Sequence, residues 1–240
     1  MISFCDKIVF ATNYLENAIR DYLLRNGIGN VLINHEDEPL GTGGAIRNAK
    51  DVLSDEFLVL NGDIISDCSL DTLPRLANPS RPYAMVATHM DDVSRYGLLE
   101  LHEGAVAGFR EKDAHHKGGG WINAGMYFFT SDVFDYIPSR GASSIERDVF
   151  PLLAEEGRLS VLRHTGAWHD IGTREDYIRA NVELSGTTYV AAPDCTIERS
   201  TIQNSVLLPG ARVVGSTVKD AIIGYGVSLR DAAVTGEIVV

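Results

Sequence analysis

The sequence predicts an α/β domain built on a mostly parallel sheet, with a short β-helix-like tail behind it. Three observations predict this. Between Lys7 and Leu60, apolar segments of strand length alternate with segments of helical spacing. A Gly-rich turn, Leu40-Gly41-Thr42-Gly43-Gly44, opens one of those helices, and the apolar run after it ends in Asn61-Gly62-Asp63. After Gly186, single apolar residues recur every four to seven positions.

The elements follow in order. Lys7–Thr12 reads as a buried strand. Asn13 can cap a helix reaching Leu24, with Leu15, Ala18, Ile19, Tyr22 and Leu23 on one face, and Asn26-Gly27 ends it. Val31–Asn34 reads as a second strand, Gly43–Val52 as a helix and Phe57–Leu60 as a third strand. Short connections between alternating strands and helices favour parallel pairing with both faces covered. Tyr83–Thr88, Gly97–Leu101 and Met126–Phe129 are strand-like, and His115–Gly120 is a loop by composition. Ser144–Leu153 and Arg174–Leu184 read as helices, the second capped by Thr173. In the tail, Ile197, Ile202, Val206, Val213, Val218, Ile222 and Val227 mark a short stack of parallel β-helix coils, with an irregular antiparallel tail as the alternative. The expected domains are residues 1–186 and 187–240.

The chain has 240 residues, 45% hydrophobic and 22% charged, which suits one large soluble domain with an appendage. A net charge of -12 argues against a nucleic-acid surface, which needs clustered Lys and Arg. It leaves room for a small phosphorylated ligand held by a few cations and a metal. No apolar run is long enough to span a membrane, and no basic-then-apolar leader opens the chain. Cys5, Cys68 and Cys195 are far apart and odd in number, so a reducing cytoplasm is expected.

Several segments carry polar groups suited to chemistry. The Gly41–Gly44 turn lets backbone approach a ligand, and a helix starting there would aim its positive end at an anion. Gly-rich turns before helices are also common as plain structure. Asp63 would stand at the carboxyl end of a parallel strand, where open α/β sheets bind ligands and where a carboxylate facing phosphates holds magnesium. Asn61-Gly62 read alone is a hairpin turn. Glu111-Lys112 is either a solvated ion pair or a contact to sugar hydroxyls and phosphate. In Trp168-His169-Asp170-Ile171-Gly172-Thr173, Asp170 is either a neighbour of a helix cap or a second metal ligand. His169 is left without a role.

In this order the segments resemble the sugar-1-phosphate nucleotidyltransferase family. The matching stretches are EDEPLGTGGA, LVLNGD, SRYGLLEL, FREK, WINAGMYFF, SIERDVFP and WHDIGTREDY, spanning nearly all of Lys7 to Leu184. Their wording is similar to that of guanylyltransferases acting on heptose or mannose 1-phosphate. The resemblance implies a Rossmann-like nucleotidyltransferase domain and a left-handed β-helix tail. It implies a reaction in which a nucleoside triphosphate and a sugar 1-phosphate give a nucleotide-sugar and pyrophosphate. By motif, Asp63 and Asp170 would ligate Mg2+ and Lys112 would hold the sugar phosphate. Glu111, Gly97 and Asn123 would contact the sugar, Gly41 would sit against the nucleotide base, and Thr42 and Gly125 would also bind substrate. Relatives often carry glutamine where Glu36 stands. A carboxylate accepts two hydrogen bonds and donates none, which suits the adjacent ring N–H and amino group of guanine and repels the carbonyls of thymine. GTP is therefore the expected nucleotide.

The family pattern also opens with a strand and a Gly-rich, arginine-bearing loop that wraps the triphosphate. No G-x-G-T-R-like segment occurs in these 240 residues. The domain is expected to lack one strand-loop-helix unit, of at least roughly 30 residues, with two strands left short of a partner. The chain alone is then expected to be inactive. A non-catalytic sugar-phosphate-binding protein is the competing expectation. An acyltransferase is disfavoured because no histidine follows His169. The tail makes contacts between subunits plausible.

Overall fold

The computed structural model describes residues 5–110 and 118–240. In chain order the strands and helices are β1 (Ile8–Thr12), α1 (Glu16–Arg25), β2 (Val31–His35), α2 (Gly41–Asn48), β3 (Glu56–Leu60), β4 (Ile64–Ser66), α3 (Leu73–Leu76), β5 (Tyr83–Met90), β6 (Leu98–His102), β7 (Ala105–Arg110), β8 (Gly120–Thr130), α4 (Phe150–Glu155), β9 (Leu159–His164), β10 (Trp168–Asp170) and α5 (Arg174–Ser185), then ten tail strands, β11 to β20, between Val190 and Val239. They form two compact units. One holds Met1–Asn61 and Cys68–Gly166, the other Gly62–Asp67 and Ala167–Val240. Residues 167–186 therefore cluster with the tail.

In the first unit β1 and β2 form a parallel pair. A six-stranded sheet runs β3-β8-β5-β9-β7-β6. The expectation of a mostly parallel sheet is corrected here. Within the six strands only β5 and β9 run parallel, while β3–β8, β5–β8, β6–β7 and β7–β9 are antiparallel. The eleven-residue β8 is the cause, since it inserts between β3 and β5 against their direction. The β6–β7 turn is a two-residue hairpin whose Glu103 and Gly104 both have positive φ, of 45° and 75°. That backbone twist matches the twist of paired strands. Among the described residues β1 pairs on one side only, with β2, and β3 on one side only, with β8.

The start of α1 also departs from expectation. Leu15, in the left-handed region, precedes the helix, and no side chain caps it. The Asn13 amide instead donates to the carbonyl of Glu36 at 2.7 Å. Of the expected apolar face only Leu23 is buried, and Leu15 and Tyr22 are exposed. A two-stranded sheet is too small to cover more. The single helix expected over Gly43–Val52 is α2 followed by a 3-10 turn at Lys50–Val52. The helix expected from Ser144 opens with a π turn, Ile145–Val149, before α4.

The core of this unit is aromatic. Tyr83, Tyr127, Phe129 and Phe150 are fully buried. Tyr127 and Phe150 lie 4.9 Å apart, and Phe129 touches Tyr83, Tyr127, Phe57 and Phe150.

In the second unit β4 and β10 pair antiparallel. Thr173 caps α5 by accepting the amide of Asp176 at 3.1 Å, and Gly186 ends the helix in the left-handed conformation. The tail winds into three parallel sheets: β11 (Val190–Ala191), β14 (Val206–Leu207), β17 (Ile222–Ile223) and β20 (Ile238–Val239) in the first, β12 (Thr196–Glu198), β15 (Arg212–Val214) and β18 (Ser228–Arg230) in the second, and β13 (Thr201–Gln203), β16 (Thr217–Lys219) and β19 (Ala233–Thr235) in the third. Parallel pairing throughout settles the tail in favour of a β-helix-like stack over the irregular antiparallel alternative. Each rung lies above its neighbour 16 residues on, as the serine contacts Ser200 to Ser216 and Ser216 to Ala232 record. Val213, Val218, Ala221 and Ile223 fill the interior, and Arg199, Asn204, Asp220 and Asp231 turn corners with positive φ. No helix among the described residues is long and apolar enough to cross a membrane.

Phe129→Ala is expected to destabilise the chain by about 3–5 kcal/mol, the usual loss for emptying a packed aromatic site. The midpoint of urea unfolding checks this.

Candidate functional site

The Gly-rich turn is committed to its own fold. The amides of Gly43 and Gly44 both end on the carbonyl of Ser143, at 2.9 and 3.3 Å, and the amide of Ser143 returns to the carbonyl of Leu40 at 2.8 Å. A Cβ on Gly41 would stand 2.6 Å from the Ser143 oxygen, and one on Gly43 2.7 Å from its hydroxyl. The glycines therefore admit the Ser143 backbone. The expectation that backbone of this turn faces a ligand is corrected for the amides of Gly43 and Gly44, which face Ser143. Thr42 is similarly occupied. Its hydroxyl donates to Glu146 at 2.6 Å and accepts the amide of Ile145 at 2.9 Å. Glu146 lies 104 residues from Thr42, and although the SIERDVFP stretch contains it, nothing near Gly41–Gly44 points to it or to Ser143.

Glu36 follows β2 directly and is buried at 8% exposure. Its amide donates to the carbonyl of Thr12 at 2.7 Å, and one carboxylate oxygen accepts the amide of Leu40 at 3.2 Å. The other carboxylate oxygen accepts no hydrogen bond among the described residues. Beside it, at the ends of β1 and β2, the Glu16 carboxylate collects three donors: Arg20 at 2.7 Å, the Thr12 hydroxyl at 2.9 Å and His35 Nδ1 at 2.7 Å. Facing a carboxylate, that histidine nitrogen carries the proton. His35 Nε2 lies 4.0 Å from Asp37. Hydrogen bonds from Arg20, then Thr12 and His35, lower the Glu16 carboxyl from 4.5 to about 2.

Gly97 sits just ahead of β6, where a Cβ would be 3.3 Å from the carbonyl of Arg110. Asn123, on β8, donates to the Tyr127 hydroxyl at 2.8 Å and accepts the amide of Gly125 at 3.0 Å. Gly125 has a φ of 73°, and its Cβ position would meet the Asn61 side chain at 2.8 Å. Its carbonyl takes the Asn61 amide at 2.8 Å. Asn123, Gly125 and Asn61 thus form one tight corner at which β3 leaves β8. Glu111 and Lys112 lie outside the described residues.

The second unit carries the carboxylate pair. Asp63 precedes β4, Asp170 ends β10, and the amide of Ile171 donates to the carbonyl of Asp63 at 2.9 Å. Asn61-Gly62 is no hairpin turn, since β3 pairs with β8 and β4 with β10. The strand ahead of Asp63 also runs antiparallel to its partner, which corrects the expectation of a parallel strand end. One oxygen of each carboxylate stands beside Gly172: a Cβ there would be 3.1 Å from Asp170 and 3.7 Å from Asp63. The Gly172 amide fixes Asp170 at 2.9 Å. His169 Nδ1 is 3.5 Å from Glu183. Among the described residues no group of three His, Cys, Asp or Glu side chains is placed to hold a metal. Two hard oxygen ligands converging on a residue without a side chain nevertheless fit magnesium, which takes one or two carboxylates and completes its shell with water and phosphates.

The family model described as nucleotidyl transferase matches residues 1–186. A probable mannose-1-phosphate guanylyltransferase 3 of Arabidopsis thaliana is 33% identical over 87% of this chain and 66% of its own length. The mannose-1-phosphate guanyltransferase beta-B of Xenopus laevis is 33% identical over 71% of this chain and 48% of its own. The chain thus spans about half to two thirds of these relatives. Among solved structures, HddC from Yersinia pseudotuberculosis complexed with GMP-PN is 30% identical with a TM-score of 0.64, covering 75% of this chain and 79% of its own.

Two outcomes follow from the geometry. Gly41→Ala combines a φ of 71° with the Ser143 contact and is expected to cost about 1–3 kcal/mol, read as a lowered unfolding midpoint. For Glu16, the unfolded chain takes up a proton before the folded chain does, because folding lowers the carboxyl from 4.5 to about 2. Its contribution is complete above about 4.5 and is lost as pH falls toward 2. The stability difference between the natural chain and Glu16→Gln is therefore expected to be constant from pH 7 to 5 and to shrink between pH 4 and 3, as urea unfolding at each pH would record.

Proposed function

We propose a reaction from one premise: the chain belongs to the nucleotidyl transferase family. A nucleoside triphosphate, GTP, meets a sugar 1-phosphate, of mannose or a heptose. A phosphate oxygen of the sugar attacks the α-phosphorus in line, the α–β bridge breaks, and pyrophosphate leaves with the bridging oxygen. No covalent enzyme intermediate forms, so the residues act by positioning and by neutralising charge. Similarity to the two mannose-1-phosphate guanylyltransferases supports guanine and mannose, and similarity to HddC, solved with GMP-PN, supports a guanine nucleotide.

The observation that carries the reading is the convergence of Asp63 and Asp170 beside Gly172. These two residues would hold Mg2+, which when bound neutralises the phosphates and polarises the α-phosphorus. The Gly172 amide keeps Asp170 oriented, and the Asp63 backbone is tied to Ile171. Glu36 takes the ring N–H and amino group of guanine, with Gly41 and Thr42 shaping the turn beside it. By the family resemblance, Gly97, Asn123 and Glu111 would contact the sugar and Lys112 would hold its phosphate, with Gly125 also binding substrate. The cytoplasm is the compartment in this reading, supported by three cysteines that form no disulfide with one another.

Calorimetric titration with GTP, with and without Mg2+, tests the metal assignment. Affinity is expected to depend on Mg2+, and that dependence is expected to vanish in Asp63→Asn and Asp170→Asn. Pyrophosphate release with a panel of sugar 1-phosphates tests the reaction, using the chain as it stands and with a Gly-rich strand-loop-helix segment joined ahead of it. Release is expected only with the added segment, and Asp170→Asn should lower it by about 100-fold or more. Sugar 1-phosphate binding without turnover in both forms would instead identify a non-catalytic binding protein.

A further inference from the structure

We infer that Glu16 is a positioning residue for nucleotide selection and acts through Glu36. The inference rests on the reading that Glu36 receives guanine. A carboxylate that must take two donors from adjacent atoms of one ring has to keep its plane fixed. Hydrogen bonds weaken steeply as they bend, so small rotations of the turn would cost the second contact.

Glu36 is held by few groups of its own. Its amide donates to Thr12, its carbonyl accepts from Asn13, and one oxygen of its side chain accepts from Leu40. Two of those three anchors sit at or just past the end of β1, and the chain reaches Glu36 from His35 at the end of β2. Thr12 and His35 are direct partners in the parallel register, so Glu36 hangs from the last rung of this two-stranded sheet. Glu16 closes that rung. One of its oxygens receives both the Thr12 hydroxyl and His35 Nδ1, while its other oxygen is held by Arg20 one turn along α1. A single carboxylate thus pins the ends of both strands to the first turn of α1.

The plainer account is that Glu16 only supports the helix start, where Leu15 is left-handed and uncapped. The two accounts differ in what they predict for selectivity. A support for α1 changes all nucleotide binding alike. A residue that orients Glu36 changes the ratio of guanine to thymine nucleotides, and only while Glu36 is present.

The test is a double-mutant cycle on the full chain. GTP and dTTP affinities, each with Mg2+, are measured for the natural protein, Glu16→Ala, Glu36→Gln and the double variant. Glu16→Ala is expected to lower the GTP-to-dTTP ratio about tenfold with dTTP affinity nearly unchanged, and to have no further effect in the Glu36→Gln background. Glu16→Gln, which keeps one acceptor, should recover part of the ratio. Thr12→Val removes a single donor without changing shape and serves if Glu16→Ala does not fold. Amide exchange supplies a readout that needs no nucleotide: Leu40, which donates to Glu36, should exchange faster in Glu16→Ala while Val59 in β3 does not. Equal losses for both nucleotides, or an unchanged Leu40 amide, would overturn the inference. A natural protein with no GTP preference, or a Glu36→Gln variant that keeps it, would remove the guanine reading itself. The Leu40 exchange would then still report whether Glu16 orders the Glu36 turn.

Discussion

The amides of Gly43 and Gly44 end on the carbonyl of Ser143, and the amide of Ser143 returns to Leu40. Each bond contributes about 1 kcal/mol, yet their combined effect is geometric. Leu40 also donates to Glu36, so a continuous chain of contacts runs from the Glu36 carboxylate through Leu40 to Ser143 and back to α2. Thr42 and Glu146 tighten the same seam. Absence of side chains at Gly41 and Gly43 makes it possible, because any Cβ there would strike Ser143. The turn is therefore shaped from behind by protein.

Features that depend on neighbouring residues were legible in the sequence. The Thr173 cap of α5 needs nothing outside the helix and stands where the residue type predicts it. The tail was legible because each rung repeats, and its apolar spacing survives translation by 16 residues. Long-range competition defeated the rest. Asn13 has the chemistry of a cap, but the Glu36 carbonyl takes its amide. Sheet direction is not legible in the sequence, because β8 pairs with strands far behind it and hydrophobic pattern carries no sign of direction. The Gly-rich amides were claimed by Ser143, which no motif near them announces. Asp63 and Asp170 were singled out from separate segments, and the β4–β10 pairing brings their backbones together.

The two units reach order by different physics. The first packs large rings, Tyr83, Tyr127, Phe129 and Phe150, into a single interior where every neighbour matters. The second stacks small rungs with Val, Ile and Ala inside and serine hydroxyls spanning from coil to coil. Interactions in such a stack are confined to adjacent coils. Local damage in the tail therefore stays near its origin, whereas loss of one ring in the first unit is felt across its sheet.

The pairing of β1 and β3 on one side only, among the described residues, has a consequence for behaviour in solution. A strand edge offers main-chain donors and acceptors that make no distinction among the side chains of whatever docks there. Copies of the chain are thus chemically able to adhere to one another. Their excess of negative charge, -12, works against such contact. That repulsion acts over about 10 Å in 0.1 M salt and over far less at 1 M. The open edges make ionic strength a control on whether the protein stays dispersed, with dilute buffers keeping molecules apart and concentrated salt letting edge find edge.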